Sequence, residues 1–239
     1  MILAILQARM SSTRLPGKVL RPLAGAPMVL RQIERIGRAE RIDELVVAVS
    51  TERTDDVLAE ILEHNGLRVF RGPLHDVLAR FAGVLAAHDS ADHVVRLTAD
   101  CPFTDPGVID AVIARHLESR ADYTSNTPAR RTFPKGLDCE AMTAEALRTA
   151  HAEAVLDDER EHVTAFLYRR PGRFAIAEVN QDRDEGEVRW TVDRPDDYAF
   201  ASAVYDGLYP AQPAFTSEDI RDFVRSRPEL RDFGGDRRV

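Results

Sequence analysis

Lysine is almost absent from this chain. Of 32 basic residues only Lys18 and Lys135 are lysine, and the other 30 are arginine. A coding bias accounts for the scarcity. A lysine that survives such a bias marks a place where a compact ammonium is wanted rather than a planar fork. Positive charge as a whole is also short: 40 acidic residues leave a formal net charge of −8. That balance excludes a generally basic binder of nucleic-acid polymers. It does not exclude an anionic small ligand, which answers to local charge. Cysteine is scarce too. Cys101 and Cys139 stand 38 residues apart with no CxxC spacing, so neither a disulfide framework nor a zinc site is expected, and reduced thiols of a cytoplasmic protein are. No His/Asn signature surrounds Cys101, which therefore reads as a small buried hydrophobe and not a nucleophile. Long apolar runs are missing. The N-terminal MILAILQARM is apolar for six residues and then polar, too short for a signal core or a membrane span. It reads as a buried first strand.

What remains is the composition of a globular protein: 239 residues, 44% apolar and 30% charged. A chain of this length buries about 70–75% of its unfolded surface without staples. Strand-like runs at Ile2–Ala8, Glu44–Ser50, Leu67–Phe70 and His93–Thr98 alternate with helical patterns at Pro27–Arg38, Thr54–His64 and His75–Ala87. In the second helix Val57, Leu58, Ile61 and Leu62 share a face; in the third the stripe is Val77, Leu78, Phe81, Val84 and Leu85. Asp105-Pro106 supplies an N-cap and an N1 proline to a fourth helix. This alternation predicts an α/β protein, a mostly parallel sheet with helices on both faces. Beyond Asp122 the pattern mixes. Strands are expected at Tyr123–Asn126, Leu137–Met142, Phe174–Asn180 and Val188–Val192, with helices near Ala144–Val155, Glu161–Tyr168, Pro195–Tyr209 and Thr216–Ser226. No linker or repeat divides the chain. One domain over residues 1–226 is expected, its pattern changing after residue 122, with a polar tail from Arg227.

Ligands of such sheets sit beyond the carboxyl ends of the strands. There the sequence QARMSSTRLPGK carries Arg9, Arg14 and Lys18 with the hydroxyls of Ser11, Ser12 and Thr13. A carboxylate or sulfate could use this loop, and a polyphosphate matches it best. It is neither a Walker loop nor a GxGxxG fingerprint. RLTADCPFTD and VRWTVDRPDD each end a strand-like run on an aspartate, Asp100 and Asp193, while Asp105, Asp196 and Asp197 suit helix starts. Two strand-end carboxylates facing a basic loop suggest oxygen-ligated Mg²⁺ shared with substrate phosphates.

Six segments, QARMSSTRLPGKVL, DVLARF, VRLTADCPFTDP, FPKGLDCE, REHVT and VRWTVDRPDDY, together resemble the SpsF-like cytidylyltransferase family of spore-coat polysaccharide biosynthesis. That family is related more distantly to the CMP-KDO and CMP-sialic acid synthetases. The resemblance runs from about residue 2 to residue 200. It implies a Rossmann-like, glycosyltransferase-A-type nucleotidyltransferase fold, and Mg²⁺-dependent transfer of CMP from CTP to a sugar. By the same resemblance Arg9, Arg14 and Lys18 hold the triphosphate and act in catalysis with Asp100. Leu6, Gln7 and Ala8 pass the nucleoside with their backbone, and Ser12, Arg71, Asp76 and Thr98 complete the nucleotide site. Asp100 and Asp193 bind metal, and no residue is assigned as a general base. Lys135, Asp138, Glu140 and His162 are expected on the acceptor side. The resemblance thus divides the domain into a nucleotide-binding half (1–122) and an acceptor and dimerisation half (123–226). Lys135 equally suits a solvated turn, and for His162, opening a helix, a structural role is favoured over contact with sugar hydroxyls. Two departures stand out: His75 occupies a position usually acidic in the family, and Ala99 one usually glycine. The acceptor is either a keto-sugar acid or a sugar phosphate or phosphonate. A glycosyltransferase that binds a nucleotide sugar is the competing class, disfavoured by the lack of a D-x-D motif. A non-catalytic nucleotide-binding partner is a third. A cytoplasmic homodimer is expected by analogy with the synthetases, with no membrane and no nucleic-acid partner.

Overall fold

The computed structural model describes residues 1–127 and 130–239. Seven strands build the central sheet: β1 (Ile2–Gln7), β2 (Glu44–Ser50), β3 (Arg68–Gly72), β4 (His93–Thr98), β5 (Tyr123–Ser125), β6 (Glu140–Thr143) and β7 (Ile176–Glu178). Their order is β3-β2-β1-β4-β6-β5-β7. The first four are parallel; β6 runs against both β4 and β5, and β7 is parallel to β5. One reversed strand thus joins a doubly wound half to a three-stranded extension.

Side chains alternate across the sheet, and each strand therefore feeds two cores. On one face Leu3, Ile5, Val46 and Val94 pack against Leu78, Phe81, Leu147 and Phe166. These last come from α3 (Val77–Ala86), α5 (Ala144–Glu153) and α7 (Ala165–Tyr168). On the other face Ala4, Leu6, Val47 and Val95 meet Val29, Ile33, Leu58 and Val112, from α1 (Met28–Ile36), α2 (Asp56–His64) and α4 (Pro106–Ser119). A third cluster lies outside the sheet. Phe103, Trp190, Phe200, Tyr205 and Phe215 fill it, roofed by α8 (Pro195–Leu208) and α9 (Ser217–Arg225).

Several expectations hold to the residue, among them β2 and β4 and the Asp105 cap, whose carboxylate accepts from Gly107 N at 2.9 Å. Others change. Val57 is 45% exposed, because the buried face of α2 is centred on Leu58, Ala59 and Leu62 and Val57 lies off its edge. The expected strand Val188–Val192 does not enter the sheet. It forms one isolated bridge, Arg189 to Lys135, and its amides are satisfied by loops: Trp190 N bonds Lys135 O at 2.7 Å and Val192 N bonds Asp100 O at 2.8 Å. Gly136 makes that packing possible. Its φ is +111°, and a Cβ there would lie 2.5 Å from Thr191 N.

The polar tail expected from Arg227 is a folded part of the third cluster. It forms α10 (Pro228–Arg231) and a two-residue hairpin, Asp232–Phe233 with Asp236–Arg237. Arg238 is 0% exposed; it bonds Asp197 at 3.0 Å and Arg189 O at 2.7 Å, and its carbonyl accepts the Trp190 indole N–H at 2.8 Å. Polar composition misled here because Arg238 is ion-paired inside and Leu230 is buried in the third cluster.

Candidate active site

The sheet's parallel half ends in two adjacent loops, one leaving β1 at Ala8 and one leaving β4 at Ala99, joined by Ala99 N to Gln7 O at 3.0 Å. The β1 loop is pinned rather than free. Asp55, 0% exposed, accepts Met10 N at 2.7 Å and Ser50 N at 3.0 Å. Gly17, with φ +67°, then turns the chain so that Lys18 begins a 3-10 turn and points inward.

Lys18 is the centre of the site. Its Nζ donates to Val192 O at 2.7 Å, Asp193 Oδ1 at 2.9 Å and Asp100 Oδ2 at 3.5 Å. The two carboxylates expected to meet a metal thus meet here around one ammonium, brought together by the Val192–Asp100 backbone bond. Asp193 also receives Arg189 at 2.9 Å and Arg14 at 3.6 Å. Burial raises its pKa, but Lys18 first and then Arg189 and Arg14 outweigh that and hold it below the ordinary carboxylate range. Asp100 accepts from Thr98 Oγ1 at 2.7 Å.

These groups line a cavity of about 340 Å³ with Gln7, Ala8, Arg9, Ser12 and Arg14 along the β1 loop. Arg9 is exposed and has no ion-pair partner among the described residues. A second cavity of about 240 Å³ shares Arg96, Thr98 and His162 with the first and adds Asp138, Glu140, Thr164 and Tyr168. Glu140 is buried at the junction, bound by Arg96, the Tyr123 hydroxyl and, at 2.6 Å, Thr164 Oγ1. Burial opposes its charge, yet Arg96 and those hydroxyls keep it ionised below the usual range. Val163, a β-branched residue held at φ +55°, separates His162 from Thr164, a strained backbone directly beside both cavities.

Not every expected residue arrives. Leu6 is 0% exposed, its backbone flanked by β2 and β4; it lies in the core, away from the cavity. Arg71 is committed to Asp56 at 2.6 Å and to the Ser50 and Glu52 carbonyls. Asp76 caps α3 through Ala79 N at 2.8 Å and pairs with Arg160. Neither Arg71 nor Asp76 lines the cavity. Lys135 faces the half-exposed side of the chain, 3.6 Å from Glu187, and lines neither cavity. Asp138 reaches the second cavity but is bonded to Arg131. His162 does not open a helix: it follows the short α6 (Asp157–Glu161) as its C-cap. Cys101 is 3% exposed, with its thiol pKa pushed well up by burial and then by Asp100, which suits the inert role and not a nucleophile. Two cavity residues escaped the sequence reading, Arg80 and Arg96. The available signal was a charge inside an apolar pattern: Arg80 lies three residues after Val77 and four before Val84 on the buried stripe of α3.

The donor set fits the implied Mg²⁺. No group of three or more His, Cys, Asp or Glu side chains gathers among the described residues, so a closed cage is not built. Magnesium characteristically takes one or two carboxylates and fills its octahedron with water and substrate phosphates, which is what Asp100, Asp193 and an anion-binding loop would provide.

A mostly parallel α/β sheet, a basic loop after its first strand and paired aspartates at the mouth define a nucleotidyltransferase-type site. The chain belongs to the cytidylyltransferase family: the family model described as Cytidylyltransferase matches residues 3–217. It is 36% identical over 235 residues, 95% of each chain, to the spore coat polysaccharide biosynthesis protein SpsF of Bacillus subtilis (strain 168). It is likewise 36% identical over 121 residues to the 3-deoxy-manno-octulosonate cytidylyltransferase of Geobacter sulfurreducens, covering 50% of this chain and 47% of that one. Among solved structures, a cytidylyltransferase from Leptospira borgpetersenii serovar Hardjo-bovis superposes with a TM-score of 0.89 at 28% identity, covering 96% of this chain and 95% of that one.

Proposed function

We propose that this enzyme transfers CMP from CTP to a sugar with release of pyrophosphate, as a cytoplasmic, Mg²⁺-dependent step of polysaccharide or glycoconjugate synthesis. The acceptor we favour is a keto-sugar acid reacting through its anomeric hydroxyl. The relatives' names support the nucleotide and the sugar class. The observation that carries the reading is the convergence of Asp100 and Asp193 on Lys18 Nζ, at 3.5 and 2.9 Å, beside the unpaired Arg9. The donor-rich cavity next to it, with Thr98, Asp138, Glu140 and Thr164, suits a polyhydroxylated acceptor.

The acceptor oxygen forms a bond to the α-phosphorus of CTP in line with the departing pyrophosphate. The Pα–O bond to the β-phosphate breaks, and the hydroxyl proton leaves to solvent. Such transfers depend on positioning and charge neutralisation more than on covalent help. Arg9, Arg14 and Lys18 stabilise the charge that grows on the pyrophosphate. Held by Asp100 and Asp193, Mg²⁺ would supply further neutralisation at the phosphates and acidify the acceptor hydroxyl. Lys18, now neutralised by the aspartates, is placed to exchange them for a phosphate oxygen.

The test is pyrophosphate release from CTP and Mg²⁺ against a panel of keto-sugar acids, sugar phosphates and phosphonates. Turnover with a keto-sugar acid is expected. Turnover with a sugar phosphate alone corrects the acceptor class, and no release with any member despite CTP binding refutes the transferase. The homodimer proposed by analogy is read by light scattering of the purified protein.

A further inference from the structure

Arg80 carries a charge that the folded chain leaves unanswered. It is 1% exposed, yet its Nε and Nη1 have no hydrogen-bond partner among the described residues. Its stem packs over Gly72, where a Cβ would come within 3.1 Å of its Cγ. The bare glycine is thus what lets the side chain lie beneath the site. Together with Arg9 it lines the 340 Å³ cavity, at the base where Arg9 forms the exposed side. The negative charge that acts on it is Asp55, which makes no ion pair with it and is already bonded to Met10 N, Ser50 N and Ser50 Oγ. Burial brings the guanidinium pKa down to about 10, with Asp55 partly restoring it and Arg9 lowering it further. Buried charged groups are ordinarily paired, and each buried donor left without an acceptor costs free energy. A guanidinium kept unpaired at the bottom of a cavity, beside a second cation, is arranged for an anion that arrives from outside.

We propose that Arg80 is a phosphate anchor of this site, holding the nucleotide's phosphate chain together with Arg9. Arg80 binds substrate from α3, a rigid helix, whereas Arg9, Arg14 and Lys18 reach it from a loop. The phosphate chain is thus held from two elements of the fold at once. This assignment rests on the nucleotide reading above but needs neither the base nor turnover.

Inorganic tripolyphosphate is the probe. With full-length protein, calorimetry should show Arg80→Met weakening tripolyphosphate and CTP alike by about 10- to 100-fold, the range of lost charge-assisted hydrogen bonds. Arg80→Lys should recover part of the loss. In the wild-type protein, the Arg80 Nε–H resonance, identified by its absence in Arg80→Lys, should shift and gain protection from exchange when tripolyphosphate is added. This readout survives even where Arg80→Met does not fold. Unchanged tripolyphosphate binding in Arg80→Met, or an Nε–H signal that ignores the anion, overturns the proposal. Weaker CTP with unchanged tripolyphosphate overturns it too, by moving Arg80 to the nucleoside. Wild-type protein that binds tripolyphosphate through Arg80 but releases no pyrophosphate from CTP would refute the proposed function and leave the anchor standing.

Discussion

Replacing Lys18 by methionine keeps the length of the side chain and removes its charge from between two carboxylates. Its side chain is 10% exposed, and that of Asp193 is 20% exposed. Taking one partner from a buried ion pair typically costs about 3–5 kcal/mol. Here Asp193 retains Arg189 at 2.9 Å and Arg14 at 3.6 Å, and the Asp100 contact at 3.5 Å is long. The lower end of that range applies, about 3 kcal/mol, and in a chain of this size it lowers Tm by roughly 6–12 °C. The loss depends on pH in a stated direction. Asp193 has a depressed folded pKa; its contribution is present above its unfolded pKa of about 3.9 and is lost as pH falls through the folded value. The Lys18→Met penalty is therefore full at pH 7 and shrinks toward pH 3. Adding Asp193→Asn should recover part of the penalty, because a neutral amide no longer needs the ammonium. Millimolar Mg²⁺ should raise the Tm of Lys18→Met more than that of the wild type, the ion entering where the ammonium stood. Thermal melts of the four proteins at pH 7 and pH 3, with and without Mg²⁺, read all of this. Strictly additive single and double variants, or a penalty independent of pH, would refute the account of Lys18 as the charge that holds the two loops together.

Three more outcomes follow from other parts of the molecule. His116 is 1% exposed and lies 3.1 Å from His93, and its pKa is pushed down to about 4 by burial and then by His93. The unfolded chain then binds the extra proton between about pH 6.5 and pH 4, so up to about 3 kcal/mol of stability is lost as pH falls through that window. His116→Gln should flatten urea-derived stability over it, and a parallel slope would contradict the assignment. Arg238→Met deprives buried Asp197 of its 3.0 Å partner and should cost about 3 kcal/mol in urea unfolding; a loss below about 1 kcal/mol would mean the tail is dispensable. Cys101, buried with a raised thiol pKa, should resist iodoacetamide in the native protein at pH 8 and react on denaturation, as mass spectrometry would show.

The parallel half of the fold was legible because its signals are local. ELVVAVS is a continuous apolar run bounded by polar residues, HVVRLT is one interrupted only by Arg96, and their limits coincide with β2 and β4. Asp105-Pro106 is a complete helix start in two residues. Of the site, the Arg9–Lys18 loop and the two aspartates were readable from residue type and strand-end position. Their meeting was not, because it depends on Val192 bonding Asp100 across the fold. The extended segment at Val188–Val192 has strand composition, yet β7 and not this segment forms the sheet's far edge; tertiary packing against Trp190 decided that. Lys135 drew notice for its rarity, but the turn at Gly136 directs it outward to Glu187. Arg80 was overlooked because helical periodicity is judged by its apolar members, and the informative residue was the one that broke the stripe.

Lys18 and Val192, which close the site, are 174 residues apart in the chain. Contacts that distant are gained late, after the entropy of a long loop has been overcome. The first four strands pair over shorter separations, from 22 residues between β2 and β3 to 91 between β1 and β4, and can be in place while Asp193 is still far from Asp100. Secondary structure and catalytic competence thus belong to separate moments of folding. In refolding, ellipticity should recover before nucleotide binding does, and a chain halted between the two has its basic loop without the aspartates that hold it.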